Sequence, residues 1–226
     1  MIRLGVLASG GGTNLQALLD ACAAGRIDAR VAVVLSNVPT AGALERARGA
    51  CVATEVLPSK GVSDREAYDL AVVDALRRHD VDLVCLAGYM RLVTPAFLRA
   101  FGPTPASRGC PRVVNVHPGL LPSFPGLHAA RQALAYGARV AGCTVHFVDE
   151  GTDTGPIIAQ AVVPVLPGDD EASLQARIQV EEHRLYPQAV HWFAQGRLAL
   201  DGRVVRVDGV PTSRGPAPLE NPPVEI

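Results

Sequence analysis

The chain has 226 residues, a formal net charge of −1 and 48% hydrophobic residues. This length permits one large domain or two small ones and is sufficient to bury a hydrophobic core without disulfides or metals. The nearly neutral charge argues against a long nucleic acid as a partner, and no apolar run approaches the roughly 18 residues that a membrane-spanning helix needs.

Short apolar runs alternate with amphipathic stretches in the first half of the chain. Because these runs are rich in Val and Leu and too short for helices, they predict buried parallel strands. They lie at residues 4–8, 31–35, 54–57, 83–87 and 113–116, with helices predicted between them at residues 14–24, 41–49, 64–79 and 94–101. The alternation indicates an α/β fold: an open, mostly parallel twisted sheet with helices on both faces, whose ligands gather at the carboxyl ends of the strands.

The pattern changes after Pro118. A helix near residues 129–136 is predicted to be followed by two β runs, at residues 144–148 and 157–165, and by a long helix over residues 170–195. We expect this C-terminal β run and the long helix to be added to the same sheet.

Two other segments look peripheral. Residues 102–112, with the sequence GPTPASRGCPR, have a loop-like composition and are interpreted as a surface insertion. Residues 201–226 are predicted to form a C-terminal strand and a Pro-rich tail; beyond Gly209 the tail has five prolines, so we expect a loosely docked extension. The main domain is therefore placed at residues 1–200.

A glycine-rich turn, SGGGTN at residues 9–14, follows the first strand and opens the first helix. Backbone N–H groups and the helix dipole favour an anion at such a position, and Thr13 and Asn14 can cap the helix or donate to phosphate oxygens. The turn is not a dinucleotide fingerprint, because Leu15 occupies the place of the third glycine. A plain strand-to-helix turn is the alternative.

Asn115 and His117 stand at the end of the fifth predicted strand. Since side chains alternate along a strand, both polar groups point to the same side while Val116 points into the core. Pro118 keeps His117 extended and ends regular strand pairing. The pair indicates the rim of a cleft, with a structural histidine as the alternative.

The acidic loop, DEGTDTGP at residues 149–156, joins the two β runs of the second half. Asp153 in this loop could approach a histidine on a neighbouring strand; a turn-forming aspartate is the alternative.

No metal site is predicted. His146 and Cys143 lie near the acidic loop, but no pair among the neighbouring His, Cys and Asp residues has a recognised metal spacing. The five cysteines are odd in number and contain no Cys-x-x-Cys, which also argues against a disulfide framework. We therefore predict a metal-free protein of the reducing cytoplasm.

Seven blocks of sequence, in order, resemble the folate-dependent glycinamide ribonucleotide formyltransferase family of purine biosynthesis. They are SGGGTNLQALLDA, SNVPTAGALERAR, SDREAYD, LAGYMRLVTPAFL, NVHPGLLPSFPGLHAARQAL, TVHFVDEGTDTGPIIAQAVVPV and EEHRLYPQAV, and together they span about residues 2–200. The resemblance implies a Rossmann-like formyltransferase fold, in which residues 1–100 bind the nucleotide phosphate and residues 101–200 bind folate and carry the catalysis. It also implies 10-formyltetrahydrofolate as co-substrate.

The same resemblance implies roles for individual residues. Asn115, His117 and Asp153 correspond to the family's catalytic trio. The ribonucleotide would be bound by Gly12, Thr13, Asn14, Gln179 and Glu182. The folate would contact Arg65, Met90, Arg91, Leu92, Val93, Asp149, Glu150, Gly151 and Thr152. The substrate amine would attack the formyl carbon directly, with Asn115 and protonated His117 stabilising the oxyanion and relaying protons while Asp153 favours the charged imidazole.

Several rival activities are left open. A formyl-folate hydrolase and a formyltransferase acting on initiator methionyl-tRNA share the Asn, His and Asp chemistry, although the nearly neutral charge argues against tRNA. A non-catalytic nucleotide-binding module and a dinucleotide-dependent oxidoreductase are alternatives from other classes. The expected partners are glycinamide ribonucleotide and formyl-folate, not nucleic acid or a membrane, and a homodimer is left open.

Overall fold

A computed structural model of the chain describes residues 1–209 and 220–221. The strands are β1 (Ile2–Leu7), β2 (Ala29–Ser36), β3 (Ala53–Val56), β4 (Leu83–Leu86), β5 (Val113–His117), β6 (Val140–Phe147), β7 (Ile157–Pro164), β8 (Leu198–Asp201), β9 (Val204–Val207) and β10 (Glu220–Asn221). The α-helices are α1 (Thr13–Ala23), α2 (Gly42–Gly49), α3 (Arg65–Arg78), α4 (Pro95–Ala100), α5 (Ala129–Tyr136) and α6 (Glu171–Ala194).

The main sheet has eight strands in the order β10-β7-β6-β5-β4-β1-β2-β3. Strands β1 to β5 pair in parallel, whereas β6 runs antiparallel to β5 and β7, and β10 runs antiparallel to β7. All four residues of β4 are buried, as expected for a short apolar strand covered on both faces. The predicted α/β class with an open, mostly parallel sheet is confirmed.

Helices cover both faces of the sheet. On one face, Leu15 and Leu18 of α1 pack in the same hydrophobic cluster as Ile178 and Trp192 of α6. On the other face, α3 and α4 contribute to a second cluster that includes Phe97. The long helix α6 is therefore packed on the main sheet, as the sequence pattern predicts. It begins with a capping box between Asp170 and Ser173, a standard signal for a helix start.

The strand order reverses between β1 and β4. The chain leaves β1 toward β2 on one side and leaves β4 toward β5 on the other. In open α/β sheets such a reversal creates a crevice beyond the carboxyl ends of the strands. The glycine-rich turn follows β1, and Asn115 and His117 end β5 on the other side of β4, so the fold brings the polar segments singled out from the sequence to one edge.

The segment 102–112 is more than a surface insertion. It contains a short 3-10 helix, Pro105–Ser107, and the side chain of Cys110 is fully buried. Arg108 forms an ion pair with Asp208, with 2.6 Å between Nη1 and Oδ2. The segment therefore packs against the hairpin formed by β8 and β9, a partner about a hundred residues later in the chain.

This β8–β9 hairpin is a separate two-stranded sheet, and its second strand provides the C-terminal strand predicted after residue 200. The Pro-rich tail predicted beyond Gly209 lies outside the described residues, apart from the two residues of β10. Within residues 1–209 and 220–221, no helix combines the length and the apolar character needed to cross a membrane.

Candidate active site

A cavity of about 790 Å³ opens at the carboxyl ends of β1, β4 and β5. Its volume lies in the ~300–1,000 Å³ range of small-molecule sites. The lining comes from one face of α6 and from five further segments: residues 10–14, 87–92, 115–118, 126–128 and 152–153. The cavity therefore joins the glycine-rich turn to the end of β5 and to the acidic loop.

The glycine-rich turn leads from β1 into α1. Gly12 has a φ of +74°, and a Cβ at this position would lie 2.7 Å from Cα of Ala43, so a larger residue would require the backbone to shift. The helix begins at Thr13, and among residues 1–209 and 220–221 no side chain caps its N-terminus. The first N–H groups of α1 are thus left for a ligand, and the helix dipole favours a negative one.

Thr13 and Asn14 contact α6 and do not cap α1, so the first of the two roles considered for them is wrong, while donation to phosphate oxygens stays a prediction. Oγ1 of Thr13 accepts a hydrogen bond from Nε2 of Gln179 at 3.0 Å. Nδ2 of Asn14 donates to Oε2 of Glu182 at 2.9 Å. These bonds span more than 160 residues, and they fix the start of α1 against the helix that forms the opposite wall of the cavity.

Glu182 is a buried carboxyl group at the cavity wall. Its side chain is 3% exposed, and burial raises its pKa, although the hydrogen bond from Asn14 opposes that shift. A carboxylate in this setting suits a ligand group that brings N–H donors or a positive charge with it.

Asn115, His117 and Asp153 lie together at the end of β5. Nδ1 of His117 is 3.3 Å from Oδ2 of Asp153, and Nε2 of His117 is 2.9 Å from the carbonyl oxygen of Phe124. Both ring nitrogens therefore face oxygen acceptors, an arrangement that is fully satisfied when both carry a proton. Asp153 has a φ of +55° and also accepts a hydrogen bond from the backbone N–H of Gly126 at 2.8 Å. Its carboxylate thus links the imidazole to the loop that carries Phe124.

His146 adjoins this trio, and sequence reasoning considered it only as a metal ligand. The ring is 2% exposed, and its Nε2 lies 3.2 Å from Nδ2 of Asn115 and 3.7 Å from Oδ1 of Asp153. The strand register explains why His146 belongs to the site, because His146 on β6 lies directly opposite Asn115 on β5. Within the described part of the chain, no group of three or more His, Cys, Asp or Glu side chains could hold a metal ion.

The acidic loop is closed by its own residues. Oδ1 of Asp149 accepts hydrogen bonds from Oγ1 of Thr154 at 2.6 Å and from the backbone N–H of Gly151 at 3.2 Å. A Cβ on Gly155 would overlap the carbonyl oxygen of Phe147. Glycine therefore allows the loop to return beside β6, which holds Asp153 at the cavity.

The residues predicted to contact folate fall into two groups. Four of them line the cavity: Met90, Arg91, Leu92 and Thr152. Five lie outside the lining: Arg65, Val93, Asp149, Glu150 and Gly151. Of these, Arg65 is next to the site, because its Nη2 donates to the carbonyl oxygen of Leu92 at 2.9 Å. Val93 packs against the second hydrophobic cluster.

Other lining residues were not predicted from the sequence. Gly126, Leu127 and His128 line the cavity opposite the glycine-rich turn, and Gln175 extends the α6 wall by one turn beyond Gln179. The i, i+4 spacing of Gln175 and Gln179 places them on one helix face, so Gln175 could have been predicted from the sequence as a lining residue. The loop 126–128 offered no comparable pattern, since its approach to the cavity depends on its bond to Asp153.

The crevice of this α/β sheet joins a turn suited to binding an anion to an amide, an imidazole and a carboxylate. This combination is typical of an enzyme that acts on a phosphorylated small molecule. Residues 2–190 match the formyl transferase family. The chain belongs to this family.

Individual relatives agree with that assignment. The chain is 45% identical over 204 residues to phosphoribosylglycinamide formyltransferase of Escherichia coli strain K12, covering 90% of this chain and 92% of the relative. The crystal structure of glycinamide ribonucleotide transformylase 1 from Symbiobacterium toebii is 56% identical, with a TM-score of 0.86, 92% of this chain and 94% of that chain being covered. A formyltetrahydrofolate deformylase from Pseudomonas syringae pv. tomato is more distant, with 26% identity and a TM-score of 0.81 over 91% of this chain and 65% of that chain.

Proposed function

We propose that this protein transfers the formyl group of 10-formyltetrahydrofolate to the amine of glycinamide ribonucleotide in purine biosynthesis. The observation that carries the proposal is the single cavity that joins the uncapped N-terminus of α1 to Asn115, His117 and Asp153. The names of the two similar proteins from E. coli and S. toebii, each matched over about nine-tenths of both chains, support the same activity.

The ribonucleotide would be held at the α1 end of the cavity. Its phosphate would accept hydrogen bonds from the N–H groups of Gly12, Thr13 and Asn14, where the helix dipole favours an anion. Gln179 and Glu182 would complete this half from α6. The buried carboxyl of Glu182 suits the polar, N–H-bearing glycinamide end.

The folate would occupy the other half of the cavity. Met90, Arg91 and Leu92 follow β4 and supply apolar surface and backbone polar groups along one wall, and Thr152 lies on the acidic loop. A flat heterocycle fits such a wall because the ring can be covered by apolar groups while its edge bonds to the backbone. Arg65 would act at the margin of this half, next to Leu92.

The chemistry would be direct attack of the amine on the formyl carbon. Asn115 would donate a hydrogen bond to the oxygen that becomes negative, and protonated His117 would stabilise that charge and pass a proton toward the departing nitrogen. Asp153, 3.3 Å from the ring, would stabilise the imidazolium. One oxyanion donor typically supplies ~10²–10³ in rate and positioned proton transfer ~10²–10⁴, with juxtaposition of the two substrates adding much of the remainder.

A Gly12→Val substitution tests the nucleotide half. The new side chain would meet Cα of Ala43 and a φ of +74° that β-branched residues avoid, so the turn must move. We expect the KM for glycinamide ribonucleotide to rise at least about tenfold while the KM for formyl-folate changes by less than about twofold, because one lost hydrogen bond to a charged group costs about 1.5–3 kcal/mol. Steady-state kinetics with each substrate varied in turn measures both values. Equal increases in the two would contradict the assignment of the turn to the nucleotide.

The nearest rival is a hydrolase that releases formate, since the chain is also similar in fold to a formyltetrahydrofolate deformylase. A spectrophotometric assay of formyl-folate consumption, run with and without glycinamide ribonucleotide, separates the candidates. Consumption only when the ribonucleotide is present, with equimolar formylated product, is the expected result. Consumption without an acceptor would establish the hydrolase, and no consumption in either case would leave a binding module.

Residues 1–200 are proposed as the formyltransferase domain, with the nucleotide half in residues 1–100 and the catalytic and folate half in residues 101–200. The partners would be two small molecules, without nucleic acid, membrane or metal. We place the protein in the reducing cytoplasm, a compartment that suits its five free cysteines.

A further inference from the structure

A second buried imidazole, that of His146, touches the proposed catalytic trio and has no role in the reaction described above. It lies on β6, directly opposite Asn115 on β5. Its two nitrogens have different neighbours: Nδ1 is 2.8 Å from the carbonyl oxygen of Phe147, and Nε2 is 3.2 Å from the amide nitrogen of Asn115.

These neighbours select one form of the ring. A carbonyl oxygen can only accept, so Nδ1 of His146 must carry a proton to satisfy the bond to Phe147. Burial lowers the pKa of His146, which favours the neutral ring, and the neutral ring with its proton on Nδ1 has a free lone pair at Nε2. A lone pair at Nε2 requires a donor opposite it, and this requirement places the NH₂ group of Asn115, and not its oxygen, toward His146.

The charged surroundings of His146 do not reverse this choice. Asp153 and Asp149 favour the protonated ring and His117 disfavours it, but the loss of hydration on burial is the largest effect. The carboxylate of Asp153 is nearer to His117, at 3.3 Å, than to His146, at 3.7 Å.

We propose that His146 is a positioning residue: neutral, with its proton on Nδ1, it fixes the amide of Asn115 so that the second N–H of that amide points into the cavity. An asparagine amide can otherwise rotate by half a turn and present its oxygen to a developing negative charge, which would repel it. The inference rests on the proposed function, because it gives that second N–H the task of binding the formyl oxygen. The two histidines then differ in their neighbours. Both ring nitrogens of His117 face hydrogen-bond acceptors, whereas Nδ1 of His146 faces an acceptor and Nε2 of His146 faces a donor.

A pair of variants separates positioning from packing and from proton transfer. His146→Phe keeps an aromatic ring but removes the acceptor, and we expect kcat for formyl transfer to fall about 10- to 100-fold, less than the ~10²–10³ attributed to a whole oxyanion donor because the amide itself remains, while both KM values change by less than about twofold. His146→Gln places an amide oxygen near the site of Nε2, and we expect it to recover most of the lost kcat with an unchanged pH profile. In an Asn115→Ala background, His146→Phe should have little further effect, because the two residues act as a unit.

Other outcomes overturn the proposal. A kcat for His146→Phe close to that of the wild type would show that the ring only fills space. A His146→Gln variant as slow as His146→Phe, with a displaced limb of the pH profile, would make His146 a proton carrier instead. Fully additive losses in the Asn115→Ala background would separate His146 from the amide.

The tautomer is measured on the wild-type protein, so the test does not depend on a variant that folds. In protein with ¹⁵N-labelled histidine rings, two-bond nitrogen–proton spectra should show His146 with a protonated Nδ1 and a bare Nε2, still neutral near pH 6.5, where an unperturbed imidazole is about half charged. A proton on Nε2, or a charged ring at that pH, overturns the proposal whether or not formyl transfer occurs. The expected tautomer in a protein without formyl transfer would overturn the proposed function and with it the task assigned to the amide.

Discussion

Replacing His117 by alanine is expected to lower kcat for formyl transfer by about 10²–10⁴-fold, the usual contribution of a positioned acid or base. The side chain is 4% exposed, and its ring is held between Asp153 and the carbonyl oxygen of Phe124. Removal of the ring leaves the α1 end of the cavity unchanged, so the affinity for glycinamide ribonucleotide should stay within about twofold. Pre-steady-state transfer and equilibrium binding of the ribonucleotide measure the two effects separately.

The matched control is His79→Ala, because His79 lies at the end of α3, contacts Glu55 on β3 and is not among the residues that line the cavity. It should transfer formyl groups at the wild-type rate. If His117→Ala retained a rate close to that of the control, His117 would be excluded from the mechanism. If it lost ribonucleotide affinity and rate in equal measure, the substitution would have damaged the cavity as a whole.

Replacing Asp153 by asparagine is expected to lower kcat by about 10²-fold with little change in the fold. Asparagine tolerates the φ of +55° at this position, and its amide oxygen can still accept the hydrogen bond from Gly126. The substitution therefore removes the negative charge beside His117 while keeping the shape of the loop.

Asp74→Asn is the control for this charge change, since Asp74 is exposed on α3 and remote from the cavity. Steady-state kinetics of both variants at neutral pH give the comparison. An Asp153→Asn variant with a normal rate at neutral pH would remove the carboxylate from the mechanism. A loss of rate accompanied by an equal loss of formyl-folate affinity would indicate displacement of the loop instead of loss of charge.

The sheet and its helices were predictable because their signals are local. Short Val- and Leu-rich runs form buried strands, and the runs at residues 83–87 and 113–116 correspond to β4 and β5. The proximity of Asn115 and His117 was predictable as well, since it needs only the alternation of side chains along one strand. Their roles stay predictions that the kinetic experiments test.

The features that were missed depend on contacts between distant segments. Nothing near Asn14 indicates that its amide bonds to Glu182 on α6, because the partner is 168 residues away. His146 became part of the site only when the register of β5 against β6 set it opposite Asn115. The ion pair between Arg108 and Asp208 is of the same kind, and it turns an apparent surface insertion into an anchor for the C-terminal hairpin.

The site should be sensitive to substitution of Gly155, because Gly155 lies close to the carbonyl oxygen of Phe147. The same oxygen anchors Nδ1 of His146, which in turn bonds to Asn115. Any residue other than glycine has a Cβ that would displace this oxygen. The displacement would reach the amide of Asn115 through two successive hydrogen bonds, first to His146 and then to Asn115. A harmful mutation can therefore arise here without altering any group that meets a substrate.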